Sequence, residues 1–461
     1  MELFEPHIYK ARRDQLRATV GSGKLLILGN DEASINFKDN WYPFRQDSTF
    51  RYYFGISLPG LVGVLDADSG DDFIFGNDLT IDDIIWTGPQ PTVMDLAQQV
   101  AVTQTKPLGK LPDQLLGRIH YLPPYRNDHT VLLSQLLSIS NEEAVTGYSI
   151  DLIRAVVTQR SIKSDEEIAE LNKAASTTSD MHLQVMQAAK AGMKEYELVG
   201  IASKAAFDHH VAFSFPPIMT INGQTLHNHY HGNTIKQGDL LLFDGGCETR
   251  SGYAGDMTRT FPVSGQFDSR QKELYDVVYS AHLAAIEALA PGTLYKEIHL
   301  LAAKKLVEGL TQIGLMKGDA DEAVAAGAHT MFFQCGLGHM MGMDVHDMEN
   351  LGEQFVGYTP ELIKSKEFGL KSLRLGRALE PGFVLTVEPG IYIIPDLIDM
   401  NKEAGKFEGH INYDLLNEYR DFGGIRVEDD FVITESGADL LGTPLASSAS
   451  DIEVVRTNAE N

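Results

Sequence analysis

The chain has 461 residues, of which 43% are hydrophobic and 22% charged, a composition typical of a soluble globular protein with more than one domain. Its 64 acidic side chains outnumber 38 basic ones, and a formal net charge of -26 argues against nucleic acid as a partner. The longest apolar runs fall far short of the ~20 residues that a membrane span needs, so we expect no membrane partner either.

The N-terminal third alternates between short strands and helices. It opens on a charged segment without the apolar stretch of a secretory signal, and the chain has 2 cysteines, so we expect a cytoplasmic protein without a disulfide framework. "KLLILGN", "GLVGVLDAD" and "DFIFGND" predict buried strands bounded by turn residues. "TVMDLAQQVA" and "TVLLSQLLSI" have helical spacing. These segments predict a smaller α/β domain over 1–158.

A well-marked helix opens the second domain. Ser164 and Glu167 form a capping-box pattern, which predicts a helix from about Asp165 onward. Beyond it, "GDLLLFDGG", "FVLTVEPGIYII" and "GIRVEDDFVIT" read as strands, and amphipathic helices lie between them. Helices flanking a mostly antiparallel sheet indicate an α+β domain, which we place over 159–446. The polar stretch 447–461 is predicted to be a flexible tail.

Acidic residues and a histidine interrupt the apolar segments of this second domain. They are Asp244, Asp256, His339, Glu388 and Glu428. A single buried acid is more often a turn or capping residue, but a carboxylate among apolar residues is costly unless it is paired or binds a metal. A set of oxygen ligands with one imidazole suits Mn²⁺, Co²⁺ or Zn²⁺, and four carboxylates fit two ions better than one. The set therefore predicts a dinuclear site for hydrolysis.

Longer motifs around these residues are similar to a known family. "FDGGCETRSGYAGDMTRTFPVSG", "GLGHMMGMDVHD", "LEPGFVLTVEPGIY" and "GGIRVEDDFVIT" follow the order found in the pita-bread metallopeptidases, which include creatinase, aminopeptidase P and prolidase. "YPFRQDSTFRYYFGISLPG" resembles the N-terminal domain of the aminopeptidase P and prolidase branch. The resemblance implies an α+β pita-bread catalytic domain with a smaller α/β N-terminal domain. It also implies two divalent metal ions, foremost Mn²⁺, proline-containing peptides as substrates, and a homodimer or homotetramer.

The resemblance assigns a role to each matching residue. Asp244 would bind one ion, and His339 with Glu388 the other. Asp256 and Glu428 would bridge both. A hydroxide between the ions would attack the scissile carbonyl. Glu388 would carry the proton of that water to the departing proline nitrogen.

Further matches lie around the implied metal site. His227, in "NGQTLHNHY", stands where the family has a histidine near the leaving side of the substrate. His346, in "DVHD", matches a histidine that helps to stabilise the tetrahedral intermediate. Arg426 lies two residues before Glu428, hence on the same face of a strand, and matches an arginine that supports the site.

Weaker features bear on substrate preference. Arg374 fits the arginine with which prolidases hold a dipeptide's free carboxylate, although a surface arginine in a loop is the alternative. His229 and His231 alternate with His227, so on a strand they would share its face, as pocket lining or as polar surface. Cys335 stands where the family commonly has histidine, so substrate preference or rate could differ.

Two specificities stay open. An Xaa-Pro aminopeptidase accepts longer peptides, whereas a prolidase requires dipeptides. Arg374 and the long insert between Glu388 and Glu428 favour prolidase, while the N-terminal segment favours the aminopeptidase, which is our prediction. Hydrolysis of organophosphorus esters is a possible side activity of a prolidase-like site. A non-catalytic scaffold of this fold would have lost metal ligands, and none is lost.

Overall fold

The computed structural model describes residues 3–460, which fall into two compact units. The first unit runs to Arg160 and includes Met348–Phe355, and the second contains Ser161–Asp347 and the chain from Val356 onward. The observed division therefore lies two residues after the predicted boundary between 158 and 159. Within the described chain, no helix is both long and apolar enough to cross a membrane.

The first unit is built on a mixed five-stranded sheet with the order β4-β3-β2-β1-β5. Its strands are β1 (Lys24–Leu28), β2 (Val62–Asp66), β3 (Asp72–Phe75), β4 (Gln104–Lys106) and β5 (Ile119–Tyr121). The α-helices up to Ser161 are α1 (Pro6–Val20), α2 (Ser48–Phe54), α3 (Ile81–Thr87), α4 (Val93–Gln98), α5 (Leu111–Gln114), α6 (Asn127–Leu137), α7 (Asn141–Thr146) and α8 (Ile150–Ser161). Strand residues Leu26, Val64 and Phe73 share a buried core with Leu133 of α6 and Ala144 of α7.

The second unit places helices around short antiparallel strands. From Asp165 onward the α-helices are α9 (Asp165–Ala188), α10 (Glu195–Asp208), α11 (Ser269–Glu287), α12 (Tyr295–Gln312), α13 (Ala320–Ala325), α14 (Glu353–Val356), α15 (Pro395–Glu403), α16 (Tyr413–Leu416) and α17 (Ala449–Glu460). The strands are β6 (Ala212–Phe213), β7 (Ile218–Thr220), β8 (Leu240–Gly245), β9 (Cys247–Glu248), β10 (Met257–Pro262), β11 (Val384–Val387), β12 (Gly390–Tyr392), β13 (Gly424–Arg426), β14 (Asp429–Ile433) and β15 (Ala438–Leu440).

These strands form small sheets with the orders β10-β8-β7, β11-β14-β15, β12-β13 and β6-β9, and the pairings are antiparallel, as predicted. Helix α9 begins where its capping box predicts, and the Ser164 N–H donates to Glu167 Oε2 at 3.1 Å. It packs against β8 to β10, while α11 packs against β11 to β13. The helices thereby hold in place the strands from which the candidate site is built.

The prediction of a flexible tail over 447–461 is wrong for the described part of that stretch, and residue 461 lies outside it. Ala449–Glu460 form α17, in which Ile452 is fully buried. The buried guanidinium of Arg456 donates to the carbonyl oxygens of Pro262 at 3.1 Å and Ala189 at 2.8 Å. The 447–461 stretch is polar overall, but α17 buries Ala449 and Ile452, and Arg456 finds carbonyl acceptors in the second unit.

Candidate metal centre

A β-hairpin brings Asp244 and Asp256 to the same end of a sheet. Asp244 is the penultimate residue of β8, and Asp256 comes directly before β10. The antiparallel register sets Thr258 opposite Asp244. The turn is tight, because a Cβ on Gly246 would lie 1.7 Å from the Gly255 carbonyl oxygen. Glycine is therefore required where the two strands approach each other below the carboxylates.

The two glutamates stand in breaks between strands. Glu388 lies between β11 and β12, and Glu428 between β13 and β14. The sequence predicts each of these two segments as one continuous strand. In the structure each segment forms two strands, with the glutamate between them. The Glu388 N–H instead donates to the Leu337 carbonyl at 2.7 Å, and the Glu428 N–H to the Thr258 carbonyl at 3.1 Å. Because each glutamate lies between paired strands, its side chain does not have to follow the up-down alternation of the sheet. Both carboxylates line the cavity.

His339 is held in the tautomer that a metal ligand needs. Its backbone N–H donates to Thr386 Oγ1 at 3.2 Å, and its Nδ1 lies 3.1 Å from its neighbour's carbonyl oxygen at Met340. Because a carbonyl only accepts, Nδ1 carries the proton and the lone pair is on Nε2. That nitrogen lies 3.4 Å from Asp256 Oδ2 and 3.7 Å from Glu388 Oε1.

The five predicted ligands line one cavity of about 350 Å³. One ligand atom from each of Asp256, His339 and Glu428 falls within 4.8 Å of the others, a spacing that can hold a metal ion. Glu388 adjoins this group through His339, and Asp244 faces the same cavity. The structure thus gathers all five side chains, with three of them in ligand-to-ligand range of a single ion.

The electrostatics of the cavity favour the binding of a cation. Burial, reinforced by the neighbouring carboxylates, raises the pKa of Asp256 and of Glu428 well above their usual range, and burial raises the pKa of Glu388 to about 8. Among the described residues, Asp256 Oδ1 is a buried atom without a hydrogen-bond partner. Arg426 and Arg374 lower the pKa of Glu388 without restoring its ordinary value. A divalent cation fits this donor set, because it would supply the lacking positive charge.

Arg426 organises the side of the site near Asp244. Its guanidinium donates to Asp244 Oδ2, to the Tyr392 hydroxyl at 2.9 Å and to Thr258 Oγ1 at 3.0 Å. The Thr258 hydroxyl in turn donates to Glu428 Oε2 at 2.6 Å. The sequence reasoning missed Thr258, although its place two residues after Asp256, on the same strand face, is a usable signal.

The same reasoning missed Asp430, which is fully buried behind the site. Its Oδ2 accepts the backbone N–H of Asp256 at 3.0 Å. The "EDD" run containing Asp430 directly follows the predicted ligand Glu428, but nothing in the sequence tells which of these acids contacts Asp256.

The remaining predicted residues divide between the cavity and its surroundings. The cavity is lined by His227, His229, Cys335, His346 and Arg374, as well as by the apolar side chains Phe215, Ile218, Leu226 and Val345. The rings of His339 and His346 lie 4.2 Å apart, edge to face. Burial and the nearby Glu388 raise the pKa of Cys335 to about 12, so it is an uncharged thiol.

His231 does not share a face with His227 and His229. The chain from 221 to 233 forms no strand, so the expected alternation does not apply. The His231 Nε2 donates instead to the Pro217 carbonyl at 3.2 Å. Its position is explained by this backbone contact rather than by a lining role.

Comparison with known proteins adds independent findings. The sequence profile described as "Metallopeptidase family M24" matches residues 169–435, and the one described as "Aminopeptidase P, N-terminal domain" matches 9–122. Human Xaa-Pro dipeptidase is 32% identical over 450 residues, which cover 94% of this chain and 89% of that protein. Escherichia coli Xaa-Pro aminopeptidase is 32% identical over 472 residues, covering 98% of both.

Two solved structures are similar in fold to this chain along its full length. Zinc-substituted E. coli aminopeptidase P in complex with product superposes with a TM-score of 0.82 at 30% identity and covers 100% of both chains. Aminopeptidase PepP of Pseudomonas aeruginosa gives a TM-score of 0.83 at 28% identity, again over 100% of both.

Proposed function

Since the chain belongs to metallopeptidase family M24 and carries an aminopeptidase P N-terminal domain, we propose that it is a dinuclear Xaa-Pro aminopeptidase. It would hydrolyse the bond between an N-terminal residue and proline. The observation that carries the proposal is the set of four carboxylates and one imidazole around a single cavity. The arginines at this cavity do not fully balance the negative charge, since the pKa of Glu388 is still raised.

Two divalent ions, foremost Mn²⁺ with Co²⁺ or Zn²⁺ as alternatives, would be held by the five side chains. Asp256, His339 and Glu428 supply the grouping seen in the structure, and Asp244 and Glu388 would complete the ligand set. When bound, such ions polarise a carbonyl oxygen and lower the pKa of a water molecule toward neutrality.

Glu388 lies where it can move a proton. Its carboxylate lines the cavity, 3.7 Å from His339 Nε2, and one of its oxygens would take a proton from the attacking water and deliver it to the departing proline nitrogen. His346 lies beside His339 at the cavity wall, where an imidazole N–H can donate to the oxyanion of the tetrahedral intermediate. Burial and Arg426 lower the pKa of His227, so a neutral ring would face the leaving side.

The cavity wall suits a proline residue. Proline has a fixed ring and no N–H, so its recognition depends on apolar contact rather than on a backbone hydrogen bond. Phe215, Leu226 and Val345 provide that contact, and the relatives named for Xaa-Pro substrates support the same reading.

A second candidate is prolidase. Arg374 lines the cavity, where a guanidinium could hold the free carboxylate of a dipeptide, and the human relative is named Xaa-Pro dipeptidase. Organophosphorus ester hydrolysis would be a side activity of that alternative. For either specificity we propose a cytoplasmic enzyme acting on proline-containing peptides as a homodimer or homotetramer.

A peptide panel tests the proposal. The Mn²⁺-loaded enzyme is incubated with Gly-Pro, with Gly-Pro-Gly-Gly and with the control Gly-Ala-Gly-Gly, and the released glycine is measured. We expect cleavage of the longer proline peptide and none of the alanine control. Cleavage of Gly-Pro alone would replace the aminopeptidase by prolidase, and Arg374→Gln should then raise the KM for Gly-Pro. No cleavage of any proline peptide would reject both.

A further inference from the structure

A buried ion pair lies beside the cavity but contributes no predicted ligand. Lys163 Nζ lies 2.9 Å from Asp347 Oδ2, and each side chain is only 1% exposed. Removing two charges from water is costly, and a well-packed apolar pair of similar volume is often as stable. Stability alone therefore does not explain this pair, and its position suggests a role in geometry.

Asp347 fills a tight loop that carries both histidines of the site. Its N–H donates to the Met340 carbonyl at 2.9 Å, and its Oδ1 accepts the Asp344 N–H at 3.4 Å. A Cβ on Gly342 would lie 2.4 Å from Asp347 Oδ2, so the carboxylate occupies the space that a side chain would need. The loop begins next to His339, and His346 directly precedes Asp347.

Lys163 is fixed to the strand that leads to Glu388. Its N–H donates to the Gly382 carbonyl at 2.9 Å, and Gly382 donates to the Ile433 carbonyl of β14 at 2.8 Å. Strand β11 starts two residues after Gly382 and ends next to Glu388. The lysine thus connects the strand that ends at the proposed proton carrier with the loop that ends at His346.

We propose that Lys163 and Asp347 are positioning residues that set His346 relative to His339 and Glu388. This inference rests on the proposed function, in which His346 donates to the tetrahedral intermediate. Loss of the ion pair would let the end of the loop move, and a displacement of about 1 Å can cost on the order of 100-fold in rate. Because His346 acts on the intermediate, the loss should affect kcat rather than KM.

Three variants test the inference: Lys163→Met, Asp347→Asn and the double variant, which removes both charges at similar volume. We expect kcat on the proline peptide to fall by about 10–100-fold, the range typical of residues that orient a metal-site side chain. The KM and the Mn²⁺ affinity should stay within about threefold of wild type, because no metal ligand is changed. A crystal structure of the metal-loaded double variant should show His346 displaced from His339.

The matched control is Asp72→Asn, which removes the carboxylate that the buried Arg13 meets at 2.8 Å in the N-terminal unit. It should lower Tm without lowering kcat. Native kcat in the double variant, or an unmoved His346 ring in its crystal structure, would overturn the proposal. Should the charge-removing variants fail to fold, Asp347→Glu decides: it keeps the charge but shifts the carboxylate, so kcat should fall, and native kcat would overturn the proposal.

Failure of the proposed function is distinguishable from failure of this inference. If the wild-type enzyme cleaves no proline peptide, the function is rejected, but the crystal structure of the metal-loaded variant still decides the positioning role. A displaced His346 supports that role, and an unmoved one refutes it.

Discussion

Buried charges occur in both units of the chain, and they are compensated differently. In the N-terminal unit, the guanidinium of Arg13 is inaccessible to solvent, yet it meets Asp72 at 2.8 Å and the carbonyls of Tyr53 and Val100 at 2.8 Å each. Asp72 also pairs with Arg17. Burial lowers the pKa of Arg13 to about 9, which still leaves the guanidinium charged at neutral pH. Its hydrogen bonds to Asp72 and to backbone carbonyls are made within the chain, so its role is structural.

In the second unit, four carboxylates crowd one cavity, and protein groups do not balance them. The pKa values of Asp256, Glu388 and Glu428 are raised by burial and mutual repulsion, and Asp256 Oδ1 is buried without a hydrogen-bond partner among the described residues. Burial alone therefore does not mark a functional charge. Burial without compensation does, and here it identifies the place where a cation belongs.

The largest expected effect comes from Asp256→Asn. The variant should lose at least about 100-fold in kcat/KM, more than residues outside the ligand set typically cost, together with most of its metal affinity. It should also make the metal-free protein more stable, since it removes a carboxylate whose charged form is disfavoured by burial. Steady-state kinetics and thermal unfolding in EDTA measure the two changes.

Asp72→Asn should have the opposite effects: it should keep the activity and make the metal-free protein less stable. It leaves the buried Arg13 without its carboxylate, so the free energy of unfolding should fall by about 3 kcal/mol while kcat is kept. If both variants shift the metal-free stability in the same direction, the distinction between compensated and uncompensated charge fails.

Removal of the metal should lower Tm more at alkaline pH than at acidic pH. Glu388 has a folded-state pKa of about 8, above its ordinary 4.5, so the stability from its bound proton is present at low pH and lost as pH rises through about 8. Mn²⁺ replaces that proton, so it should raise Tm more at about pH 8.5 than at about pH 6. An equal shift at both pH values, seen by calorimetry, would contradict the charge account.

Arg456→Met tests a compensated charge near the C-terminus. Its guanidinium donates to the carbonyls of Pro262, Ala189 and Val263, at 2.8 to 3.1 Å, and the variant removes these hydrogen bonds. We expect the free energy of unfolding in urea to fall by about 2 kcal/mol with kcat unchanged. A neutral effect would show that the hydrogen bonds of Arg456 are not needed to hold α17 in place.

The smallest expected effect concerns buried histidines that do not line the cavity. Burial lowers the pKa of His182 and His299 to about 3 and of His282 and His329 to about 4. Their contribution to stability is present above about pH 6.5 and is lost as pH falls toward these values. The free energy of unfolding should fall less steeply with decreasing pH in His299→Leu than in the wild type, and the difference in slope should correspond to about one bound proton. Urea unfolding between about pH 7 and pH 4.5 measures this slope. An unchanged slope would show that His299 stays uncharged in both states.

Sequence reasoning succeeded where the signal was local. The capping box at Ser164 predicted where α9 begins, and acids such as Asp244 inside apolar runs predicted which side chains meet in the cavity. These signals depend on neighbours along the chain, because helix capping and the exclusion of charge from apolar segments are properties of short windows.

Features set by distant partners could not be predicted. The break in the strand at Glu388 depends on Leu337, and Lys163 pairs with Asp347, so in both cases the partners are far apart in sequence. The docking of α17 was missed for the same reason, because the carbonyl acceptors of Arg456 lie outside the C-terminal segment.

Calorimetric titration of Mn²⁺ into the metal-free wild-type protein tests the central claim most directly. The uncompensated carboxylates predict that two ions bind per chain, with protons released as the raised pKa values of Glu388 and Glu428 are overcome. Absence of binding, or binding without proton release, would contradict the account.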